Sequence, residues 1–211
     1  MKISLINGSQ KPGESNSGII LDRLNDLVKE NHDVQVYKPI SKHLNYETLE
    51  DITSGDIIVL AFPLYWDSVP SHTLKMLVEL ENTIKREGRK SITVYAIVNN
   101  GFYEGKQNHI ALEIIKHWCE HCGIQFGGGI GQGAGEMLGA TKNITMAKGI
   151  FKNLWDALKL MVEKMEAKEP FDVIYLNPFF PRFLFNMVAN SGWSASGRKN
   201  KLTRRDIMRR L

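Results

Sequence analysis

The sequence predicts an α/β domain built on a parallel sheet with helices on both faces, followed by a distinct C-terminal extension. Apolar runs with β-branched residues recur at 3–6, 34–37, 57–62 and 92–98, with a weaker one at 124–126, and stretches of helical periodicity alternate with them. The runs at 57–62 and 92–98 show little polar alternation, as strands covered on both faces do. The segments that follow these strands are rich in Gly, Pro, Asn or aromatics. In a parallel sheet such segments gather at one edge, outside the carboxyl ends of the strands, where ligands bind.

Each element follows from local pattern. Between the first two strands, Ile20, Leu24, Leu27 and Val28 form one apolar stripe. The polar stretch 40–56 has room for one short helix, closed by Gly55. Leu74, Leu77, Val78 and Ile84 follow the third strand, with Ser71 as the expected cap. Ala111, Ile114, Ile115, Trp118, Cys119 and Cys122 follow the fourth. Phe151, Leu154, Trp155, Leu158, Val162 and Met165 make the clearest stripe, at i, i+3, i+4, i+7 spacing.

Length and composition bound the function. At 211 residues, 43% hydrophobic and 24% charged, the chain can bury one sizeable core. No apolar run approaches the ~20 residues that span a bilayer, and the N-terminus lacks a signal pattern. With two cysteines no disulfide scaffold forms, so the expected setting is the cytoplasm. The net charge of +4 is unevenly spread: eight Lys or Arg after Asn177 (182, 198, 199, 201, 204, 205, 209, 210) face one acid, Asp206. That segment carries +7 and the rest −3 by difference, so no nucleic-acid-binding face is expected.

Four segments are candidates for chemistry. The first, GSQKPGESNS at 8–17, has hydroxyls at Ser9, Ser15 and Ser17, and Ser15 or Asn16 can cap the helix that follows. A capped helix N-terminus attracts phosphate, and Lys11 is the segment's one cation; an ordinary strand–helix turn explains the same residues. Neither G-x-x-x-x-G-K-[ST] nor, after the first strand, G-x-G-x-x-G is present. A phospho-receiver site would place acids after the early strands, where Asn7 and Phe62 stand. The second segment, FPLYWDSVPSHTLK at 62–75, places Tyr65 and Trp66 between two prolines and offers flat apolar surface for a planar ring. Asp67 and His72 are expected to be solvated or capping. The third, NNGFYEGKQN at 99–108, offers amides that suit a pyrimidine-like edge, with Phe102 and Tyr103 beside them. The fourth, GGGIGQGAGEML at 127–138, is expected to be a loop after a late strand, serving either a ligand mouth or close packing. HWCEHC at 117–122 looks like a metal site, but Cys119 and Cys122 extend the apolar stripe while His117 and His121 lie on another edge, so no metal is expected.

Gly8-Ser9, Lys11 and Asn16-Ser17 resemble the GSxR…NT/S phosphate loop of the NAD(P)H-dependent FMN reductases, a branch of the flavodoxin-like flavoproteins. Residues 62–65, with Asp67-Ser68 and Pro70-Ser71, are similar to that branch's second flavin loop, and residues 99–102 occupy the third. Lys11 stands where the family has Arg. The resemblance covers roughly residues 1–165. It implies a flavodoxin-like three-layer sandwich, with a five-stranded parallel sheet in the order 2-1-3-4-5. It implies FMN held at the phosphate by Ser9, Lys11, Ser15, Asn16 and Ser17. Pro63, Leu64, Tyr65 and Trp66 would meet one side of the isoalloxazine, and Asn99, Asn100, Gly101, Phe102 and Tyr103 its pyrimidine side. Reduced NAD(P)H would be the co-substrate, with hydride passing to flavin N5 and on to a small acceptor, and no catalytic side chain is implied because the cofactor carries the chemistry. The compact four-cysteine run of the iron–sulfur relatives is missing here. The alternative is a non-enzymatic flavodoxin-type electron carrier.

The expected division is a flavin domain over 1–168 and an apolar, basic helical extension over 169–211. The extension resembles those of some relatives in this branch. Three roles stay open for it: packing onto the domain, contact with a second subunit, which would make a homodimer, or peripheral docking on an acidic membrane or protein surface.

Overall fold

Strand β1 (Lys2–Asn7) is flanked by β2 (Asp33–Tyr37) on one side and β3 (Ile57–Pro63) on the other, and β4 (Thr93–Asn99), β5 (Gln125–Gln132) and β6 (Ile174–Leu176) extend the sheet from β3. Every pairing is parallel. The computed structural model describes residues 1–38, 44–141 and 147–209. Of the polar stretch 40–56, residues 40–43 lie outside the described residues, and the short helix expected there is α2 (Tyr46–Thr53). The other helices of this part are α1 (Asn16–Val28), α3 (Ser71–Glu87), α4 (His109–Cys122) and α5 (Lys152–Ala167).

Strands buried on both faces need two cores, and the sheet has them. One face packs Leu60, Phe62, Leu77, Leu80, Leu112 and Ile115 from β3, α3 and α4. The other packs Ile3, Leu5, Ile20, Leu24, Leu158 and Met161 from β1, α1 and α5. The predicted three-layer arrangement and the 2-1-3-4-5 order are therefore present, but the sheet has six strands rather than five. β6 is three residues long and follows Pro170, too short for periodicity to mark as a strand. It is delivered to the sheet edge by Phe171, whose N–H donates to the Gly127 carbonyl at 2.8 Å and whose ring stacks on Tyr95 at 6.0 Å.

The glycine run is also a correction. Residues 127–132, expected as loop, are the body of β5, and the reason is close packing. A Cβ on Gly127 would overlap the Tyr95 ring, and one on Gly133 would overlap the Tyr103 carbonyl. The register shifts between Val94 and Tyr95, with Gly128 at φ +135°, a bulge that only glycine adopts without strain. At the helix ends, Pro70 rather than Ser71 holds the capping position of α3, and Gly88 and Gly123 close α3 and α4 in left-handed conformation.

The chain divides into two compact units, Met1–Pro178 and Phe179–Leu211. β6 belongs to the first, so the division falls after Pro178 rather than after residue 168. The second unit is α6 (Arg182–Lys199) followed by α7 (Arg204–Ile207), packed where Ile207 meets Gly197 and capped where Asp206 accepts from Thr203 N–H at 2.8 Å. No described helix is long and apolar enough to cross a membrane.

Gly127→Ala is expected to lower stability by about 1–3 kcal/mol through overpacking. Urea unfolding of Gly127→Ala, Tyr95→Leu and the double variant checks it: the double variant should lose less than the sum of the singles, because the two residues contest one volume.

Candidate functional site

Because all six strands run the same way, the segments after β1, β3, β4 and β5 lie at one edge. The first is built around Asn7, at the end of β1. Asn7 Nδ2 donates to Ser15 Oγ at 3.1 Å, and Asn7 Oδ1 accepts from the Ser9 N–H at 3.1 Å. Ser15 Oγ accepts the Gly18 N–H at 3.1 Å and so caps α1, as its sequence position predicts. Ser9 Oγ accepts the Lys11 N–H at 3.3 Å. Ser9, Ser15 and Ser17 are buried, Asn16 is half-buried and Lys11 is exposed. The turn thus folds its hydroxyls inward around the N-terminus of α1, whose first N–H groups lack intrahelical partners. Side chains are kept out of the fold of this loop: a Cβ on Gly18 would come 2.9 Å from Asn7 Nδ2, and one on Gly8 2.9 Å from Phe62 Cβ.

Two partners of this loop carry no motif. Lys38, just past β2, donates through Nζ to the Gly13 carbonyl and brings a second cation beside Lys11's loop. His72, in the first turn of α3, donates through Nε2 to the Gly8 carbonyl at 2.7 Å, joined by Thr73 Oγ1 at 3.3 Å. His72 therefore fixes the first loop to α3 rather than capping the helix.

The second segment leaves β3 through half-buried Pro63 and Leu64, with the Leu64 N–H on the Asn99 carbonyl at 2.8 Å. Tyr65 and Ser68 exchange N–H···O bonds of 3.1 and 3.0 Å across a two-residue turn. Trp66 and Asp67 fill it at φ 50° and 57°, the type I′ conformation that normally requires Asn or Gly. The turn holds Trp66 with its whole ring in solvent and Tyr65 44% exposed. An aromatic kept exposed on a strained turn is a surface for a flat apolar partner.

The third segment departs from expectation in how its amides are used. Asn99 Nδ2 donates to Ser17 Oγ at 2.8 Å and to the Phe62 carbonyl at 3.2 Å, so this buried side chain ties the first and second segments together. Asn100 Oδ1 accepts from Phe102 N–H at 2.9 Å, and its Nδ2 donates to the Glu104 carbonyl at 3.2 Å. Both amides hold loops rather than face outward. Gly101 and Phe102 are exposed and Tyr103 is half-buried. The fourth segment closes over the third: the Gly135 N–H donates to the Asn100 carbonyl at 2.6 Å and the Ala134 N–H to that of Phe102 at 2.5 Å.

The metal-like cluster splits between core and surface. Cys119 and Cys122 are buried in α4, and burial pushes both thiols up, that of Cys122 to about 11. His117 pairs with Glu120 at 2.9 Å and His121 with Glu81 at 3.2 Å. Among the described residues no three His, Cys, Asp or Glu side chains gather to hold a metal ion.

The donor set fits FMN. An inward ring of hydroxyls around a capped helix N-terminus, with Lys11 and Lys38 beside it, suits a phosphate ester. Exposed Tyr65, Trp66 and Phe102 at the same edge suit a planar ring.

No protein-family model and no curated protein matches the sequence. Solved structures do. The apo form of an NADH:FMN oxidoreductase, EMOB, superposes with TM-score 0.58 at 11% identity, over 80% of this chain and 89% of that one. An azoreductase from Bacillus anthracis gives TM-score 0.51 at 12% identity, over 79% and 99%. A flavodoxin from Streptococcus pneumoniae gives 0.50 at 14% identity, over 80% and 99%. The chain has the flavodoxin-like fold.

Asn99→Ala removes two buried bonds and is expected to cost about 1–3 kcal/mol, seen in urea unfolding. Both thiols should resist alkylation in the native protein and react on unfolding. Thiolate forms only as pH rises toward its pKa, so native Cys122 should become reactive only toward about pH 11, checked by thiol titration against pH.

Proposed function

We propose that this chain is an FMN-dependent NAD(P)H oxidoreductase, passing hydride from a reduced nicotinamide through bound FMN to a small acceptor such as a quinone, a flavin, an azo or a nitro compound. The observation that carries the reading is the meeting, at one sheet edge, of the hydroxyl-lined N-terminus of α1 with the exposed aromatics Tyr65, Trp66 and Phe102. The fold likeness to an NADH:FMN oxidoreductase and an azoreductase supports the same class. When bound, FMN supplies the hydride-accepting and hydride-donating centre.

The chain's own residues bind and orient. Ser9, Ser15, Asn16, Ser17 and the first N–H groups of α1 take the phosphate, and Lys11 and Lys38 supply the compensating charge. Asn99 and Asn100 act through the loops they brace, fixing the distance between phosphate cradle and ring site. Pro63, Leu64, Tyr65 and Trp66 form one wall for the ring; Gly101, Phe102 and Tyr103 form the other. The enzyme would work in the cytoplasm as a homodimer. A flavodoxin-type electron carrier uses the same cradle, and the likeness to a flavodoxin keeps it as the competing reading.

The purified protein should be yellow, or should quench the fluorescence of added FMN; a colourless protein that binds none removes both readings. With FMN bound, anaerobic stopped-flow mixing with NADH and with NADPH should bleach the flavin rapidly with at least one of them. Slow bleaching with both selects the carrier. Lys11→Ala and Lys38→Ala should each weaken FMN by roughly two- to fivefold and leave riboflavin affinity unchanged, since exposed cations contribute under about 1 kcal/mol each.

A further inference from the structure

We propose that the C-terminal unit, residues 179–211, is a docking surface for an anionic lipid bilayer. From Phe183 to Ser196, α6 has no charged residue. Phe183, Leu184, Met187 and Val188 stand at i, i+1, i+4 and i+5, so they share one side of the helix, and all four are exposed. Phe179 and Trp193 are each 76% exposed. Phenylalanine and tryptophan in such positions suit the headgroup–acyl boundary of a membrane, where an apolar ring is half withdrawn from water.

The charge lies at the C-terminal end of the same helix and beyond. Arg198, Lys199, Lys201, Arg205 and Arg209 have no carboxylate partner among the described residues. The unit's one acid, Asp206, is engaged at Thr203 as the cap of α7. Arg210 lies outside the described residues. A cluster of unneutralised cations beside an apolar side is the pair of signals that peripheral attachment requires, because neither alone holds a protein to a bilayer.

Charge decides the occupant. A second copy of this chain would offer residues 1–176, which carry only −3, and many of those carboxylates are already paired. Asp51 is with Lys2, Asp26 with Lys29, Glu81 with Lys85 and Asp156 with Lys152. An anionic bilayer presents a far denser field to a +7 segment. Nucleic acid would match the charge but leaves the apolar side of α6 in water.

The test is co-sedimentation of the full chain with vesicles of phosphatidylcholine alone and of phosphatidylcholine mixed with phosphatidylglycerol. Binding is expected only to the mixed vesicles, falling steeply as salt is raised. Reversal of three charges, Arg198→Glu, Lys199→Glu and Lys201→Glu together, should lower partitioning by about a hundredfold or more, at roughly fivefold per cation. Phe183→Ser with Trp193→Ser should weaken it without removing the salt dependence. These side chains are exposed, so far-UV circular dichroism should be unchanged. Failure of the full chain to bind mixed vesicles, or binding indifferent to the charge reversals, overturns the proposal. So does a dimer mass that falls with the same substitutions in the absence of vesicle binding, which would assign the surface to a second copy. The assay needs no flavin, so it fails or succeeds independently of the enzymatic reading.

Discussion

Parallel strand pairing is the constraint on which the rest depends. Six strands running one way leave all their carboxyl ends at a single edge, so segments far apart in sequence meet there. The same pairing demands burial on both faces, which is why β3 is buried from Ile57 through Phe62 with no alternation. Function in such a sheet is a matter of what the loops are allowed to hold, because the strands themselves are committed to packing.

Those loops divide into frame and surface. Asn7, Asn99 and Asn100 are frame: Asn99 bonds across to the first and second segments, while Asn7 and Asn100 brace the segments they stand in. Tyr65, Trp66, Phe102 and the two lysines are surface. The frame explains how a turn as unfavourable as the one at Trp66 and Asp67 persists, since both of its ends are anchored, through Leu64 to β4 and through Pro70 to α3.

Much of this was legible in the sequence. The uninterrupted apolar runs revealed the buried strands, Ser15 revealed the start of α1, and the paired prolines around Tyr65 and Trp66 revealed an ordered aromatic turn. What was hidden has physical causes. Most of β5 beyond the short run at 124–126 was concealed because strand propensity comes from side chains, and residues 127–129 and 131 are glycines whose side chains would strike Tyr95, Phe171, Leu112 and Tyr175. β6 has too few residues to show a period. Lys38 and His72 act on backbone carbonyls of a distant loop, contacts that no spacing announces. Asn99 and Asn100 were correctly placed at the edge, but whether an amide faces a ligand or a neighbouring loop depends on tertiary geometry alone.

The bond from Asn99 to Ser17 joins residues 82 apart. A ribosome must therefore deliver four strands before the first loop acquires its last brace, and the cradle is among the late features to mature on a chain still being made. Occupancy of that cradle and docking of β4 are then two readings of one equilibrium: whatever binds there steadies β4, and whatever loosens β4 releases the ligand. Binding at that cradle would double as a quality check, since a chain with a frayed sheet would also be a chain with no cradle to fill.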